Sequence, residues 1–132
     1  AIIIAADTVV YFNGKVIGKP KTKEEAVEML KFFSGKSHLV ITGCTIIDTK
    51  SKQEYSMSDE STMTFKTLSD DLIGRYVATG HPMDKAGGYG YLGIGTVLIE
   101  KIEGDYYSEV GLPLAFVIET LEKLGVEVIS NI

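Results

Sequence analysis

The feature that most constrains this sequence is a glycine-rich segment in its second half. Residues 80–95 read GHPMDKAGGYGYLGIG and hold six of the chain's 14 glycines. Because glycine loses more backbone entropy on folding than any other residue, a folded protein keeps it where the backbone turns sharply or approaches another group closely. Lys85 lies within this segment, and a lysine beside clustered backbone N–H groups is typical of a phosphate site. The segment therefore predicts an anion-binding loop.

Residues 88–93 also match the G-x-G-x-x-G pattern of dinucleotide-binding proteins, but the surrounding sequence excludes that class. In a dinucleotide site the pattern follows a strand and begins a helix, whose N-terminus binds the pyrophosphate. Here the pattern is followed by residues 96–99, an apolar and β-branched run that predicts a strand. The match is therefore a coincidence of glycine content.

Length and charge limit the classes of protein that this chain can represent. With 132 residues it is long enough for a substantial hydrophobic core, and we expect a single domain over residues 1–132. The formal net charge of -5 argues against a nucleic-acid polymer as partner, whereas a few local lysines are enough to bind a free nucleotide. No apolar stretch approaches the length of a membrane span, so no membrane partner is expected. Cys44 is the only cysteine, which excludes an internal disulfide and favours a reducing, cytoplasmic location.

Apolar periodicity and turn residues predict an α/β fold, in which a mixed, twisted sheet has flanking helices. The Asn13-Gly14 pair predicts a type I′ hairpin, and Thr22 with Glu25 forms a capping box that begins a helix. The predicted strands are residues 2–12, 15–17, 37–48, 54–66, 96–100 and 126–129, and the predicted helices run from Thr22 to Phe33, from Ser69 to Val77 and from Leu114 to Leu124.

Three charged residues lie at positions where a charge either is costly to bury or can bind a ligand. Asp7 lies in the middle of an apolar strand, where a carboxylate is costly unless it is paired, hydrogen-bonded or bound to a metal. It is either a general base or metal ligand, or a partly exposed or paired structural residue. Lys19 lies in a stiff turn between Gly18 and Pro20, where most lysines simply face solvent. Asp84 either orients Lys85, helps to hold a divalent cation, or forms an ordinary ion pair.

The two histidines do not predict a metal site. His38 and His81 are too far apart in sequence to form a recognisable ligand pair. We interpret His38 as a residue at a strand edge and His81 as a turn residue before Pro82.

Taken together, several segments resemble the Maf family of nucleoside triphosphate pyrophosphatases, once described as septum-formation proteins. The resemblance covers nearly the whole chain in collinear order. Family members hydrolyse a nucleoside triphosphate to the monophosphate and pyrophosphate with the help of a divalent cation, and their α/β fold is related to that of the inosine triphosphatases. The segments that carry the resemblance are Ala6–Val10, Gly18–Pro20, Tyr76–Gly80, Asp84–Gly90, Ile102–Tyr107 and Val110–Leu114.

The resemblance implies a role for individual residues of the predicted site. Asp7 matches the catalytic aspartate of the family, and Lys19 and Lys85 match its phosphate-contacting lysines. Thr8 matches the threonine typical of the branch that prefers thymidine and uridine triphosphates. The implied cofactor is Mg²⁺ or Mn²⁺, with Asp7 and Asp84 as candidate ligands. The candidate substrate-binding residues are Thr8, Lys19, Lys85, Gly87 and Gly88.

The sequence departs from the family pattern at two places. Family members begin with a strand and a Ser-x-Ser-Pro-Arg-Arg loop that binds phosphates, and this sequence contains neither, so the implied fold is N-terminally incomplete. The pyrimidine branch commonly has Ile-Gln-Gly where this chain has Tyr91-Leu92-Gly93, which removes an amide that could bind a base edge. The resemblance therefore predicts a pyrophosphatase acting on dTTP, UTP or a modified nucleotide. The alternatives are a non-catalytic nucleotide-binding or regulatory remnant of the fold and an α/β interaction domain whose glycines are only structural. Because the first strand would lack its family neighbours, the chain is expected either to form a homodimer, to pair with a separate N-terminal fragment or to rearrange.

Overall fold

The fold is described here from a computed structural model, which covers residues 1–90, 92–104 and 111–129. Five strands form one open sheet in the order β2-β1-β3-β4-β5. The predicted α/β fold, a sheet with flanking helices, is confirmed. The strands are β1 (Ile2–Phe12), β2 (Lys15–Ile17), β3 (Ser37–Asp48), β4 (Gln53–Phe65) and β5 (Ile99–Glu103), and the helices are α1 (Lys23–Phe33), α2 (Asp70–Ala78) and α3 (Leu114–Lys123).

The first hairpin and the helix starts form where local chemistry predicts them. Asn13 and Gly14 have φ angles of 53° and 81°, the positive values that a type I′ turn requires at both central positions. The side chain of Thr22 accepts a hydrogen bond of 3.1 Å from the N–H of Glu25 at the start of α1. Ser69 caps α2 in the same way, through the N–H of Leu72 at 3.1 Å.

The strand predicted over residues 96–100 is wrong in its first part. Residues Gly93–Leu98 form 3₁₀ turns, and β5 begins only at Ile99. The hydroxyl of Thr96 donates a 2.9 Å hydrogen bond to the carbonyl of Gly93, which closes a local turn. A β-branched side chain favours a strand only while its backbone has a strand partner, and here the local turn takes precedence.

The strand predicted over residues 126–129 is also wrong, because α3 satisfies these backbone groups instead. The N–H of Val126 donates to the carbonyl of Leu121 at 2.9 Å. The N–H of Val128 donates to a carboxylate oxygen of Glu122 at 3.1 Å. This segment therefore folds back on the end of the helix as a non-regular tail.

The chain divides into two compact units. The first unit comprises residues 1–8, 41–60 and 104–132, and the second comprises residues 9–40 and 61–103. Among the described residues, the first unit has a small buried core of Cys44, Ile46 and Val117. The larger core of the second unit includes Leu30 and Phe65. The prediction of a single domain stays a prediction.

None of the helices in the described ranges is long and apolar enough to cross a membrane. Tyr91 and residues 105–110, which belong to segments quoted for the family resemblance, lie outside the described residues.

Candidate active site

The glycine-rich segment forms a tight loop that contacts the turn of Lys19. Gly87 and Gly88 have φ angles of 74° and 76°, in the left-handed region that favours glycine. The N–H of Gly87 donates a 2.9 Å hydrogen bond to the carbonyl of Gly18. Lys19 follows directly and is exposed. The second unit therefore brings the segment carrying Lys19 against the segment carrying Lys85.

Close packing explains two further glycines of this loop, Gly90 and Gly95. A Cβ atom at Gly88 would lie within 4 Å of Ala26 and Met29 on α1. A Cβ atom at Gly90 would lie 2.7 Å from Cε of Lys85, and one at Gly95 would overlap the carbonyl oxygen of Gly90. At Gly90 and Gly95, absence of a side chain, rather than an unusual φ angle, permits this approach.

Lys85 is held by two short contacts on the same loop. Its Nζ donates hydrogen bonds to the Asp84 carboxylate at 2.8 Å and to the His81 carbonyl at 3.0 Å. The hydrogen bond and positive charge of Lys85 lower the pKa of Asp84. About a third of the lysine side chain (32%) stays accessible to an anion. The structure thus shows Asp84 as the ion-pair partner of Lys85, and its role as a metal ligand stays a prediction.

The backbone donors of the loop are mostly engaged within the protein. The N–H of Gly87 donates to Gly18, and the N–H of Gly88 donates to the carbonyl of Lys85 at 3.0 Å. The N–H of Gly90 donates to the hydroxyl of Tyr76 at 3.2 Å. In this conformation the N–H groups of these three glycines are used within the protein and are not available to an anion. The substrate-binding role of Gly87 and Gly88 stays a prediction.

His38 lies beneath the loop and not at an exposed strand edge, so our interpretation of it is wrong. It is 4% exposed, and its Nε2 lies 2.5 Å from the hydroxyl of Tyr89. Burial lowers the pKa of His38 from 6.5 to about 4. Its Nδ1 has no hydrogen-bond partner among the described residues. The alternation along β3 was the missed signal, because His38, Val40 and Thr42 all point to the buried face.

A second tyrosine–histidine pair was not predicted from the sequence. The hydroxyl of Tyr76 on α2 lies 2.7 Å from Nδ1 of His81 and accepts the N–H of Gly90. Burial is the main cause that raises the pKa of Tyr76. No spacing rule connects a helix residue with a glycine 14 positions later, so the sequence carried no signal for this contact.

The first unit holds the other two predicted site residues. Asp7 is exposed on β1, and its Oδ1 accepts the N–H of Thr8 at 2.9 Å. Its other carboxylate oxygen has no hydrogen-bond partner within the described part of the chain. The hydroxyl groups of Thr8 and buried Thr42 lie 2.9 Å apart. Asp7 also lines an open pocket of about 310 Å³ together with Ala5, Ala6, Met57 and residues 43–45.

Comparison with known proteins identifies the family. The model of the Maf-like protein family matches residues 1–124. The chain belongs to the Maf-like family. A dTTP/UTP pyrophosphatase of Methanosarcina mazei is 50% identical over 130 residues, which are 98% of this chain and 66% of the relative. The corresponding protein of Clostridium tetani is 50% identical over 125 residues (95% and 65%), and that of Pyrococcus furiosus is 52% identical over 120 residues (91% and 62%).

This Maf-like chain thus spans just under two thirds of the length of the curated relatives that it matches. Within the described residues, it presents no cluster of three or more His, Cys, Asp or Glu side chains that could hold a metal ion. Mg²⁺ in nucleotide sites is commonly bound by one or two carboxylates, with substrate phosphates and water completing its shell. The open carboxylate oxygen of Asp7 fits that requirement.

Proposed function

We propose that this Maf-like protein hydrolyses a nucleoside triphosphate, dTTP or UTP, to the monophosphate and pyrophosphate. The relatives named dTTP/UTP pyrophosphatases support this substrate class. The observation that carries the proposal is the hydrogen bond between Gly87 and Gly18. This bond joins the two segments that carry Lys19 and Lys85. The two positively charged lysines therefore belong to one glycine-containing contact, and a polyphosphate requires such positive charge for binding.

In this proposal the lysines bind the polyphosphate chain. Lys85 is paired with the exposed carboxylate of Asp84, and a surface ion pair of this kind contributes little net energy. A triphosphate carries more negative charge than one carboxylate and competes with Asp84 for the ammonium group. Lys19 has no such partner among the described side chains and is available to a phosphate directly.

Asp7 is the group we assign to the hydrolytic step. A water oxygen forms a bond to the α-phosphorus, the bond from that phosphorus to the bridging oxygen breaks, and pyrophosphate leaves. The water proton passes to the open carboxylate oxygen of Asp7. A bound Mg²⁺ or Mn²⁺, for which Asp7 and Asp84 are the candidate ligands, would supply positive charge next to the phosphates.

The test is pyrophosphate release from a panel of nucleoside triphosphates with Mg²⁺. Replacing Asp7 with Asn keeps the size of the side chain but removes its basicity, so we expect release to fall at least about a hundredfold. Asp70→Asn, the same change at an exposed position on α2, serves as the matched control and leaves release unchanged. Equal rates for Asp7→Asn and the wild type would refute the role of Asp7. No release from any substrate would favour the non-catalytic alternative.

The cytoplasmic location and the homodimer belong to the same proposal. A free, buried Cys44 supports a reducing compartment. Self-association is proposed from the sequence alone.

A further inference from the structure

One hydroxyl group connects helix α2 to both sides of the Lys85 loop. Tyr76 is 4% exposed, and its ring packs edge-on against His81 with 5.5 Å between ring centres. Its hydroxyl accepts the N–H of Gly90 at 3.2 Å and forms a 2.7 Å hydrogen bond with His81 Nδ1. The phenol therefore contacts the loop both before and after Lys85.

The same two residues surround the side chain of Lys85. Its ammonium group donates to the carbonyl of His81 at 3.0 Å. Its stem lies so close to Gly90 that a Cβ atom there would come within 2.7 Å of Cε and 2.8 Å of Cδ. Two neighbours of this lysine among the described residues, His81 and Gly90, are thus both hydrogen-bonded to the hydroxyl of Tyr76.

The hydroxyl is suited to hold both neighbours at once. A neutral phenol has one proton to donate and lone pairs that accept, so it can serve the Gly90 N–H and the His81 ring together. Burial raises the pKa of Tyr76 above its usual value of 10, which keeps that proton in place at neutral pH. The buried ring of Tyr76 belongs to the core of the second unit, so the hydroxyl sits on a rigid support.

We propose that Tyr76 is a positioning residue for phosphate binding, acting through Gly90 and His81 to hold the Lys85 ammonium group. This inference rests on the proposed function, because it assigns Lys85 to the polyphosphate. A lysine that is already ordered loses less conformational entropy when it binds an anion. Removal of the hydroxyl frees the Gly90 backbone and the His81 ring, and the ammonium group then samples more orientations.

The experiment measures binding of inorganic tripolyphosphate to the full 132-residue chain by calorimetry. Tyr76→Phe removes the hydroxyl and keeps the ring, so we expect about three- to tenfold weaker binding, the worth of one or two neutral hydrogen bonds. The matched control is Tyr11→Phe in the same unit, because the Tyr11 hydroxyl has no hydrogen bond with the described residues. This control leaves binding unchanged.

A double-mutant cycle with Lys85→Ala separates positioning from a general structural effect. If Tyr76 acts through Lys85, Tyr76→Phe weakens binding in the wild-type background and has no further effect once Lys85 is Ala. A loss of equal size in both backgrounds, or no loss in the first, overturns the inference. Thermal unfolding verifies that each variant is folded. Should Tyr76→Phe not fold, Gly90→Ala takes its place, because its Cβ displaces the same lysine stem and its effect must show the same dependence on Lys85.

Pyrophosphate release from dTTP and UTP distinguishes this inference from the proposed function. With both correct, Tyr76→Phe raises KM by the same three- to tenfold factor and changes kcat less than about twofold. If tripolyphosphate binding shows the dependence of Tyr76→Phe on Lys85 but no pyrophosphate is released, the proposed enzymatic activity is refuted and the positioning role stands. If the chain releases pyrophosphate but the effect of Tyr76→Phe does not depend on Lys85, only the positioning role is refuted. A wild-type chain that binds no tripolyphosphate refutes the positioning role, and pyrophosphate release alone then decides the proposed function.

Discussion

Individual glycines in the 80–95 loop serve different physical purposes. Gly93 has a φ angle of 63°, but among the described residues no atom beyond its chain neighbours lies within 4 Å of a Cβ placed there. Gly95 has no positive φ angle, yet its missing side chain makes room for the carbonyl of Gly90. One position therefore needs glycine for its conformation and the other for its size.

This difference gives a matched pair of substitutions. We expect Gly95→Ala to lower the free energy of unfolding by about 3 kcal/mol, because backbone must move to admit the Cβ atom. Gly93→Ala costs only the left-handed strain, about 1 kcal/mol. Urea unfolding of the two variants measures both values. Equal losses would show that the approach of Gly90 to Gly95 does not constrain the loop.

His38 makes stability depend on pH. Its pKa is 6.5 in the unfolded chain and about 4 in the folded protein, because burial disfavours the charged ring. Above pH 6.5 both states are neutral and stability is complete; between pH 6.5 and 4 only the unfolded state takes up the proton, so stability falls as pH falls. From pH 7 to pH 5 the wild type should lose about 2 kcal/mol more than His38→Gln, which does not titrate.

Denaturant unfolding at both pH values tests this expectation. Gln keeps a polar group within reach of the Tyr89 hydroxyl, so the variant changes the titration more than the packing. Identical pH slopes for the two proteins would mean that His38 is protonated in the folded state as readily as in the unfolded one.

At the residue scale, chemistry could be predicted only where it shows in local sequence. Lys85 stands out because it lies among glycines, and Asp7 because it interrupts an apolar strand. Tyr76 and His38 reach their partners across 14 and 51 positions of sequence. Such contacts arise from packing, and no local pattern in a single sequence predicts them.

At the scale of elements, signals that act within one turn were reliable. The caps of α1 and α2 and the first hairpin formed as predicted, since each depends on neighbours two or three residues away. Strand propensity was less reliable, because a strand needs a partner. Residues 96–98 and 126–129 have β-branched sequences, but the former lie in 3₁₀ turns and the N–H groups of Val126 and Val128 bond to residues of α3.

At the scale of the whole molecule, buried apolar surface is unevenly shared between the two units. Among the described residues, the core of the second unit includes 13 buried residues and that of the first includes three. Buried contacts determine how much free energy a local opening costs. Local opening of the unit that carries Lys19 and Lys85 should therefore cost more free energy than opening of the other unit.

Hydrogen exchange of backbone amides should reveal this asymmetry. Helix α1 buries Ala26, Leu30 and Phe33 almost completely, whereas α3 buries Val117 and Thr120 and leaves Leu114 exposed. Opening α1 exposes more apolar surface than opening α3, so its amides should exchange at least about tenfold more slowly, which corresponds to about 1.4 kcal/mol. Exchange followed by NMR under native conditions compares the two helices within one sample. Equal protection would show that α3 opens only when the entire chain unfolds, and that the two cores behave as one cooperative structure.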